Sequence, residues 1–206
     1  MPLAPKSPRR HAVVDLRAID GVPPAAEVRA VLESAADVIF SDGISAEFLD
    51  QWTFEIKQQG SPTRSWTWSQ MRDLPAETVT VDIHCVTRWS KLDTRWQAVS
   101  IDTLLEQVEH DAEYVLAFCD GGYTTNLPIA DITGGQAWVA FGYDGGPLPA
   151  EHGGPARLLV PHLYFWKSAK WVRGLDLRDR DAPGFWETYG YHMYGDPWRE
   201  QRYAGD

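Results

Sequence analysis

Alternation of apolar and polar residues predicts strands along most of the chain. Apolar side chains occupy every second position of residues 52–56 and of residues 79–85, which is the period of a strand with one buried face. Further strands are predicted at about residues 114–119, 138–142, 157–161 and 170–178. Because Cys85 closes the second alternating run, we expect this cysteine at the end of a strand, on its apolar face.

Helical spacing is confined to three segments. Residues 25–40 place their apolar side chains on one helical face, and the sequence SDG ends this helix. A short helix is predicted from Ser69 and stops near Pro75. Ser100 is the predicted N-cap of a third helix, IDTLLEQVEH. Strands outnumber helices, and several connections are too short for helical crossovers. The sequence therefore predicts an α+β fold with mixed, largely antiparallel sheets. We expect an N-terminal arm and helix over residues 1–45 and one domain over residues 46–206.

The net charge of the chain disfavours some classes of binding partner. The 206 residues carry a formal net charge of −10, which disfavours binding to nucleic acid and to anionic membranes. Arg9 and Arg10 resemble a twin-arginine export signal, but charged residues interrupt the segment that follows, so we expect no signal. Apolar runs are also too short to cross a bilayer. We therefore expect a cytoplasmic protein whose anionic ligands are held by local basic clusters.

Cys85 opens the first such cluster, HCVTRWSKLDTRW, at residues 84–96. Its basic residues, Arg88, Lys91 and Arg95, favour the thiolate, which is the form that binds a metal or attacks an electrophile. Spacing alone also allows a buried structural cysteine followed by a solvated basic loop. A disulfide with Cys119 remains a further alternative.

Two other polar clusters lie in glycine-rich segments. In residues 151–171, a Gly-Gly-Pro turn precedes Arg157, and Lys167 and Lys170 bracket Ser168, a set of donors that suits a phosphate. Ordinary surface cations are the alternative. In residues 119–126, Asp120 offers an acceptor for ring N–H groups beside two glycines, although a plain Asp-Gly turn would look the same.

Four separated stretches together resemble a known family. They are VDIHCVTRWSKLDTRWQAVSIDTLLE, DGGYTTNLP, HGGPARLLVPHLYFWKSAKWV and GFWETYGYH. In this order they are similar to the molybdopterin-binding domain of the sulfite-oxidase family, and above all to its short bacterial oxidoreductases. The likeness runs over residues 50–203 and implies the sulfite-oxidase molybdopterin-binding fold.

The resemblance implies a role for each matching residue. Cys85 would bind molybdenum through its thiolate, and Arg88 and Tyr191 would face the substrate. The residues implied to contact molybdopterin are His84, Asp120, His152, Arg157, Ser168, Ala169 and Lys170.

The activity implied by the resemblance is a two-electron oxygen-atom transfer. The enzyme would oxidise sulfite or a similar small oxyanion, or reduce an S- or N-oxide, and a separate electron-transfer partner would be needed. A protein that binds or carries molybdopterin without turnover is the alternative. Without the resemblance, the residues would also fit a structural domain with a buried cysteine.

Overall fold

The structure is a computed structural model that describes residues 44–206. The arm and helix predicted for residues 1–45 lie outside the described residues, apart from positions 44 and 45. The helices are α1 Ala46–Gln51, α2 Trp68–Asp73, α3 Ile101–Leu105 and α4 Phe185–Thr188. The strands are β1 Thr53–Gln58, β2 Arg64–Thr67, β3 Ala76–Cys85, β4 Trp89–Ser100, β5 Tyr114–Cys119, β6 Thr124–Pro128, β7 Trp138–Tyr143, β8 Gly146–Pro147, β9 Arg157–Leu159 and β10 Val172–Arg178. Each predicted strand is present, with ends that differ by at most three residues.

The strands form two sheets. The first sheet has the order β2-β1-β10-β5-β6, and the second has the order β3-β4-β7-β8, with β9 also paired to β7. Within residues 44–206 the ladder between β1 and β10 is parallel and the other strand ladders are antiparallel. The predicted α+β class with largely antiparallel sheets is confirmed.

The main core lies between the two sheets. It combines Phe54 and Leu175 from the first sheet with Val139 and Leu158 from the second, all fully or almost fully buried. Leu104 of α3 packs into the same core, and the side chain of Ser100 accepts a hydrogen bond from the backbone N–H of Asp102, as predicted for an N-cap. A smaller apolar cluster covers part of the second sheet.

Most of the basic cluster after Cys85 is a strand, so the alternative of a solvated basic loop there is wrong. β3 and β4 form a long antiparallel hairpin in which Cys85 pairs with Trp89. Thr94, Trp96 and Ala98 alternate with exposed residues in the second half of β4, and this alternation predicts a strand. The first half of β4 is exposed on both faces, so no hydrophobic period marks it.

Candidate active site

A tight turn fixes the position of Cys85. Only residues 86–88 separate the paired residues Cys85 and Trp89, and the backbone N–H of Arg88 donates to the Cys85 carbonyl at 3.0 Å. Arg88 has a left-handed backbone, with φ of 67°, as the last residue of a three-residue hairpin loop commonly does. The thiol is therefore carried by a rigid strand end.

Cys85 lies in a cavity of about 560 Å³ that we call the thiol cavity. The thiol is half-buried, and its Sγ lies 3.0 Å from Thr87 Oγ1. His84, Arg88, Tyr164 and Arg202 line the same cavity. A thiol in this position is accessible to a ligand.

Cys119 has a different environment. Both cysteines are free, so the disulfide considered from the sequence is wrong. Cys119 is buried in the main core, and its burial raises the pKa of the thiol far above the ordinary value. Cys119 therefore stays protonated and is no competitor for a metal.

His84 also belongs to the thiol cavity. Its Nδ1 lies 2.8 Å from Ser90 Oγ, which fixes the ring across the hairpin. The ring packs edge-on against Trp198, with centroids 5.0 Å apart. The backbone of His84 forms a parallel bridge to Tyr164, and this bridge joins the cysteine strand to the segment with the other predicted residues.

A second, smaller cavity of about 170 Å³ collects most of the predicted cofactor residues. We call it the cation cavity. Asp120, Arg157, Ser168, Ala169 and Lys170 all line it, although they come from separate parts of the sequence. His152 lines neither cavity in the structure, and its side chain is exposed.

Arg157 is the most buried cation of this cavity, with 3% exposure. Its guanidinium donates to the carbonyl of His152 at 2.8 Å and to the carbonyl of Ser168 at 2.6 Å. Its Nε is buried and has no hydrogen-bond partner among the described residues. Burial also lowers its pKa. A buried donor without an acceptor costs free energy, so an acceptor from a bound ligand fits this position.

Lys170 and Asp120 are held by other contacts. The Lys170 Nζ donates to the carbonyl of Glu151 at 2.6 Å, and burial, with the nearby Arg157 charge, lowers the pKa of Lys170 to about 8. Both carboxylate oxygens of Asp120 accept from Arg173 Nε at 2.8 Å. Arg173, which the sequence did not single out, therefore orients the carboxylate that was predicted to contact the pterin.

An aromatic wall separates the two cavities. Tyr164 lines the thiol cavity, Phe165 and Trp166 line the cation cavity, and the rings of Tyr164 and Trp166 stack with centroids 5.2 Å apart. Tyr191 packs edge-on against Trp166 at 5.3 Å. Burial raises the pKa of Tyr191 to about 12, and the nearby Cys85 contributes to the rise. Most of the predicted site residues therefore line two cavities, whereas His152 and Tyr191 line neither. The Tyr191 hydroxyl keeps its proton.

A buried ion pair that the sequence did not reveal supports this wall. Lys167 Nζ lies 2.6 Å from Glu187 Oε1, and both side chains are 0% exposed. The same carboxylate oxygen accepts from Trp166 Nε1 at 2.9 Å. Lys167 also donates to Asn126 and to the carbonyl of Met193. The expectation that Lys167 helps to hold a phosphate is therefore wrong, because the protein itself occupies its donors.

Comparison with protein-family models identifies the family to which this chain belongs. Residues 43–186 match the oxidoreductase molybdopterin-binding domain, which is more than half of the chain. The chain belongs to this family. Members of the family bind molybdopterin with molybdenum, so this cofactor is confirmed.

Curated relatives give the same family. The chain is 41% identical to the uncharacterized oxidoreductase YuiH of Bacillus subtilis, over 78% of this chain and 82% of the relative. It is 32% identical to a putative protein-methionine-sulfoxide reductase subunit, YedZ1, of Azospira oryzae, over 71% of this chain and 57% of the relative. It is 23% identical to mitochondrial sulfite oxidase of Mus musculus, over 69% of this chain and 32% of the relative. The chain thus spans most of YuiH but little more than half, or less, of the other two.

A solved structure shows the same fold. The sulfane dehydrogenase SoxCD of Paracoccus pantotrophus superposes with a TM-score of 0.58 at 20% identity, over 67% of this chain and 41% of that chain. The predicted sulfite-oxidase-type fold is confirmed. Among the described residues, no helix is long and apolar enough to span a membrane.

The residues of the two cavities fit the cofactor of the family. The unpartnered Arg157 Nε and the Lys170 ammonium suit an anionic group, and the soft Cys85 thiolate suits a molybdenum–sulfur centre. Residues 44–206 hold no group of three His, Cys, Asp or Glu side chains that would bind a metal by themselves. A metal at Cys85 therefore needs further ligands from a cofactor.

Proposed function

We propose that this protein is a molybdenum oxidoreductase that performs two-electron oxygen-atom transfer next to Cys85. The observation that carries the proposal is the position of Cys85: a free thiol at a rigid strand end, facing a cavity of about 560 Å³ beside the cation cavity. Cys119, the other cysteine, is buried and protonated. Of the two cysteines, Cys85 alone therefore offers an accessible thiol as a soft ligand.

The surrounding residues have separate tasks. Arg157 and Lys170 would hold the anionic part of molybdopterin, and Asp120, His84 and the backbone of residues 168–169 would orient it. Arg88 and Tyr191 would act on the substrate, Arg88 by charge and Tyr191 by donating a hydrogen bond from its protonated hydroxyl. His152 would contribute through its carbonyl, which positions Arg157. The bound cofactor supplies the redox chemistry.

The reaction must balance electrons and oxygen. Oxidation of sulfite takes an oxygen atom from water and releases two electrons and two protons. Reduction of an S- or N-oxide consumes two electrons and two protons and releases water. In either direction the electrons pass to or from a separate carrier. The substrate class is thus a small oxyanion or an S- or N-oxide.

A cofactor carrier without turnover is the second candidate. The favouring observation is that the cationic donors of the cation cavity, the buried Arg157 and the half-buried Lys170, do not line the thiol cavity. A protein that only carries the cofactor needs no more than these anchoring groups. An enzyme also needs the thiolate and a place for substrate, so the two candidates differ in what Cys85 does.

Replacement of each cysteine separates the candidates. Cys85→Ser is almost isosteric, and we expect the fold to persist while oxygen-atom transfer falls at least 100-fold, because a hard oxygen ligand changes the metal's electronics. Cys119→Ala is the matched control and should keep activity. The measurements are turnover with reduced viologen or ferricyanide, molybdenum content, and circular dichroism. A fully active Cys85→Ser enzyme would contradict the proposed mechanism.

A further inference from the structure

The mouth of the thiol cavity is apolar. Within residues 44–206, the large hydrophobic side chains that remain exposed are Trp89, Leu92 and Trp198, at 48%, 63% and 79% exposure. All three line the thiol cavity. Exposed large hydrophobic residues that gather at one place mark a binding surface, whereas scattered ones would need no explanation.

Hydrogen bonds within residues 196–201 fix the loop that carries Trp198. The Asp196 side chain accepts hydrogen bonds from the backbone N–H groups of Trp198 and Arg199, at 2.8 and 3.3 Å. The backbone N–H of Gln201 donates to the Asp196 carbonyl at 3.0 Å, and the Gln201 side chain is buried. The indole also packs against His84, the neighbour of Cys85. Trp198 is therefore held in its exposed position above the cavity.

The charges of the cavity are balanced. Two carboxylates, Asp82 and Glu200, and two guanidinium groups, Arg88 and Arg202, line it. Arg202 pairs with Glu200 at 3.0 Å and donates to the Val86 carbonyl at 3.3 Å. The Arg88 side chain forms no ion pair with the described residues. A single available cation in a balanced cavity suits a polarised oxygen on a neutral molecule better than a dianion.

We propose that Trp89, Leu92 and Trp198 form a subsite for the apolar arm of a neutral S-oxide. This inference rests on the proposed function and selects among its substrates. The aromatic faces would hold an aryl or bulky alkyl group, and the S–O oxygen would point inward, towards Arg88 and Cys85. The reaction breaks the S–O bond: sulfur gains two electrons, and the oxygen leaves as water with two protons. The electrons come from a reduced one-electron carrier.

Two sulfoxides that differ in one arm provide the test. With reduced viologen as electron donor, we expect the KM for methyl phenyl sulfoxide to lie at least tenfold below that for dimethyl sulfoxide. Trp198→Ala should raise the KM for the aryl substrate about tenfold and leave that for dimethyl sulfoxide within about twofold. Arg199→Ala is the matched control, because Arg199 lies on the same loop but does not line the cavity. It should change neither value.

A binding measurement makes the test independent of turnover. Methyl phenyl sulfone should quench tryptophan fluorescence of the wild-type holoenzyme with a Kd about tenfold lower than that of Trp198→Ala. Equal Kd values for the two proteins would overturn the subsite. So would a KM for sulfite below that for either sulfoxide, if Trp198→Ala also left the KM for the aryl substrate unchanged. Failure of the proposed function looks different: the molybdenum-loaded protein would act on none of the three substrates, while the sulfone titration would still report on the subsite.

Discussion

At the scale of single residues, Arg157 and Lys170 look alike in the sequence and differ in the structure. Both were expected to anchor the cofactor by charge. Arg157 also ties the carbonyls of His152 and Ser168 together, so its replacement would loosen both turns as well as the cofactor. Lys170 makes one hydrogen bond, to the carbonyl of Glu151. It is therefore the cleaner probe of charge in the cation cavity.

The lowered pKa of Lys170 predicts a pH dependence of cofactor binding. A bound anion favours the charged ammonium, so affinity should be constant below pH 8 and fall as pH rises above about 8, where the free protein loses this proton. Lys170→Met should weaken retention at pH 7 by tenfold or more and remove most of the dependence, since a hydrogen bond to a charged group contributes about 1.5–3 kcal/mol.

The measurement is the molybdopterin retained after gel filtration at a series of pH values from 6.5 to 9.5. Lys57→Met is the control, because Lys57 is an exposed lysine on β1. Retention that rises with pH in the wild type would contradict the assigned role of Lys170.

The pair of Lys167 and Glu187 predicts an effect on stability. Lys167→Met leaves the Glu187 carboxylate buried without its cation, which should lower the free energy of unfolding by about 3–5 kcal/mol. Adding Glu187→Gln removes the uncompensated charge and keeps an acceptor for Trp166, so the double variant should recover most of the loss. Urea unfolding of the three proteins measures both effects. A single variant as stable as the double one would be inconsistent with a buried charged pair.

Sequence patterns could not have revealed this pair. Lys167 stands among aromatic residues and Glu187 in GFWETYG, and 19 positions separate them. Their contact depends on how the C-terminal segment folds back over the sheet, which is a tertiary effect. The position of Cys85 at a strand end was predictable for the opposite reason, because strand alternation is a local signal. Its role at a metal is implied by the family resemblance and stays a prediction.

At the scale of elements, the sequence identified strands where one face is buried. The exposed half of β4 shows the limit: residues 89–93 are all exposed, so their strand conformation comes from pairing with β3 and not from a hydrophobic pattern. The two-cavity arrangement was also beyond prediction, because it depends on the aromatic wall of residues 164–166. The family resemblance implied the remaining candidate site residues, and their roles stay predictions.

Contact between β1 and β10 predicts one sensitive position. A Cβ on Gly174 would lie 2.1 Å from the Glu55 carbonyl oxygen and 2.5 Å from Phe118 Cζ, so Gly174→Ala must displace a central strand. We expect a loss of about 3 kcal/mol or more in unfolding free energy. Gly146→Ala is the control, since a Cβ there meets only Tyr143 O at 3.8 Å. Thermal unfolding of both variants is the measurement, and equal melting temperatures would refute the steric argument.

At the scale of the whole molecule, the net charge of −10 contrasts with the cations gathered inside. Lys167 and Arg157 are buried, and Lys170 is partly so. An acidic exterior disfavours binding of polyanions on the surface, while the cation cavity retains donors for one small anionic ligand. The composition predicted local basic clusters for anionic ligands, but it contained no information on which cations are inside.

The central position of β10 constrains the order of events during synthesis. β10 lies between β1 and β5, yet it is made about 115 residues after β1. Until it leaves the ribosome, the edges of both neighbours are unpaired, and pairing across such a long sequence separation is slow. The segment that completes the cation cavity, up to Trp186, follows later still. A nascent chain that lacks these segments has no complete cation cavity, so we expect the cofactor to bind only after residues 172–186 have been made and folded.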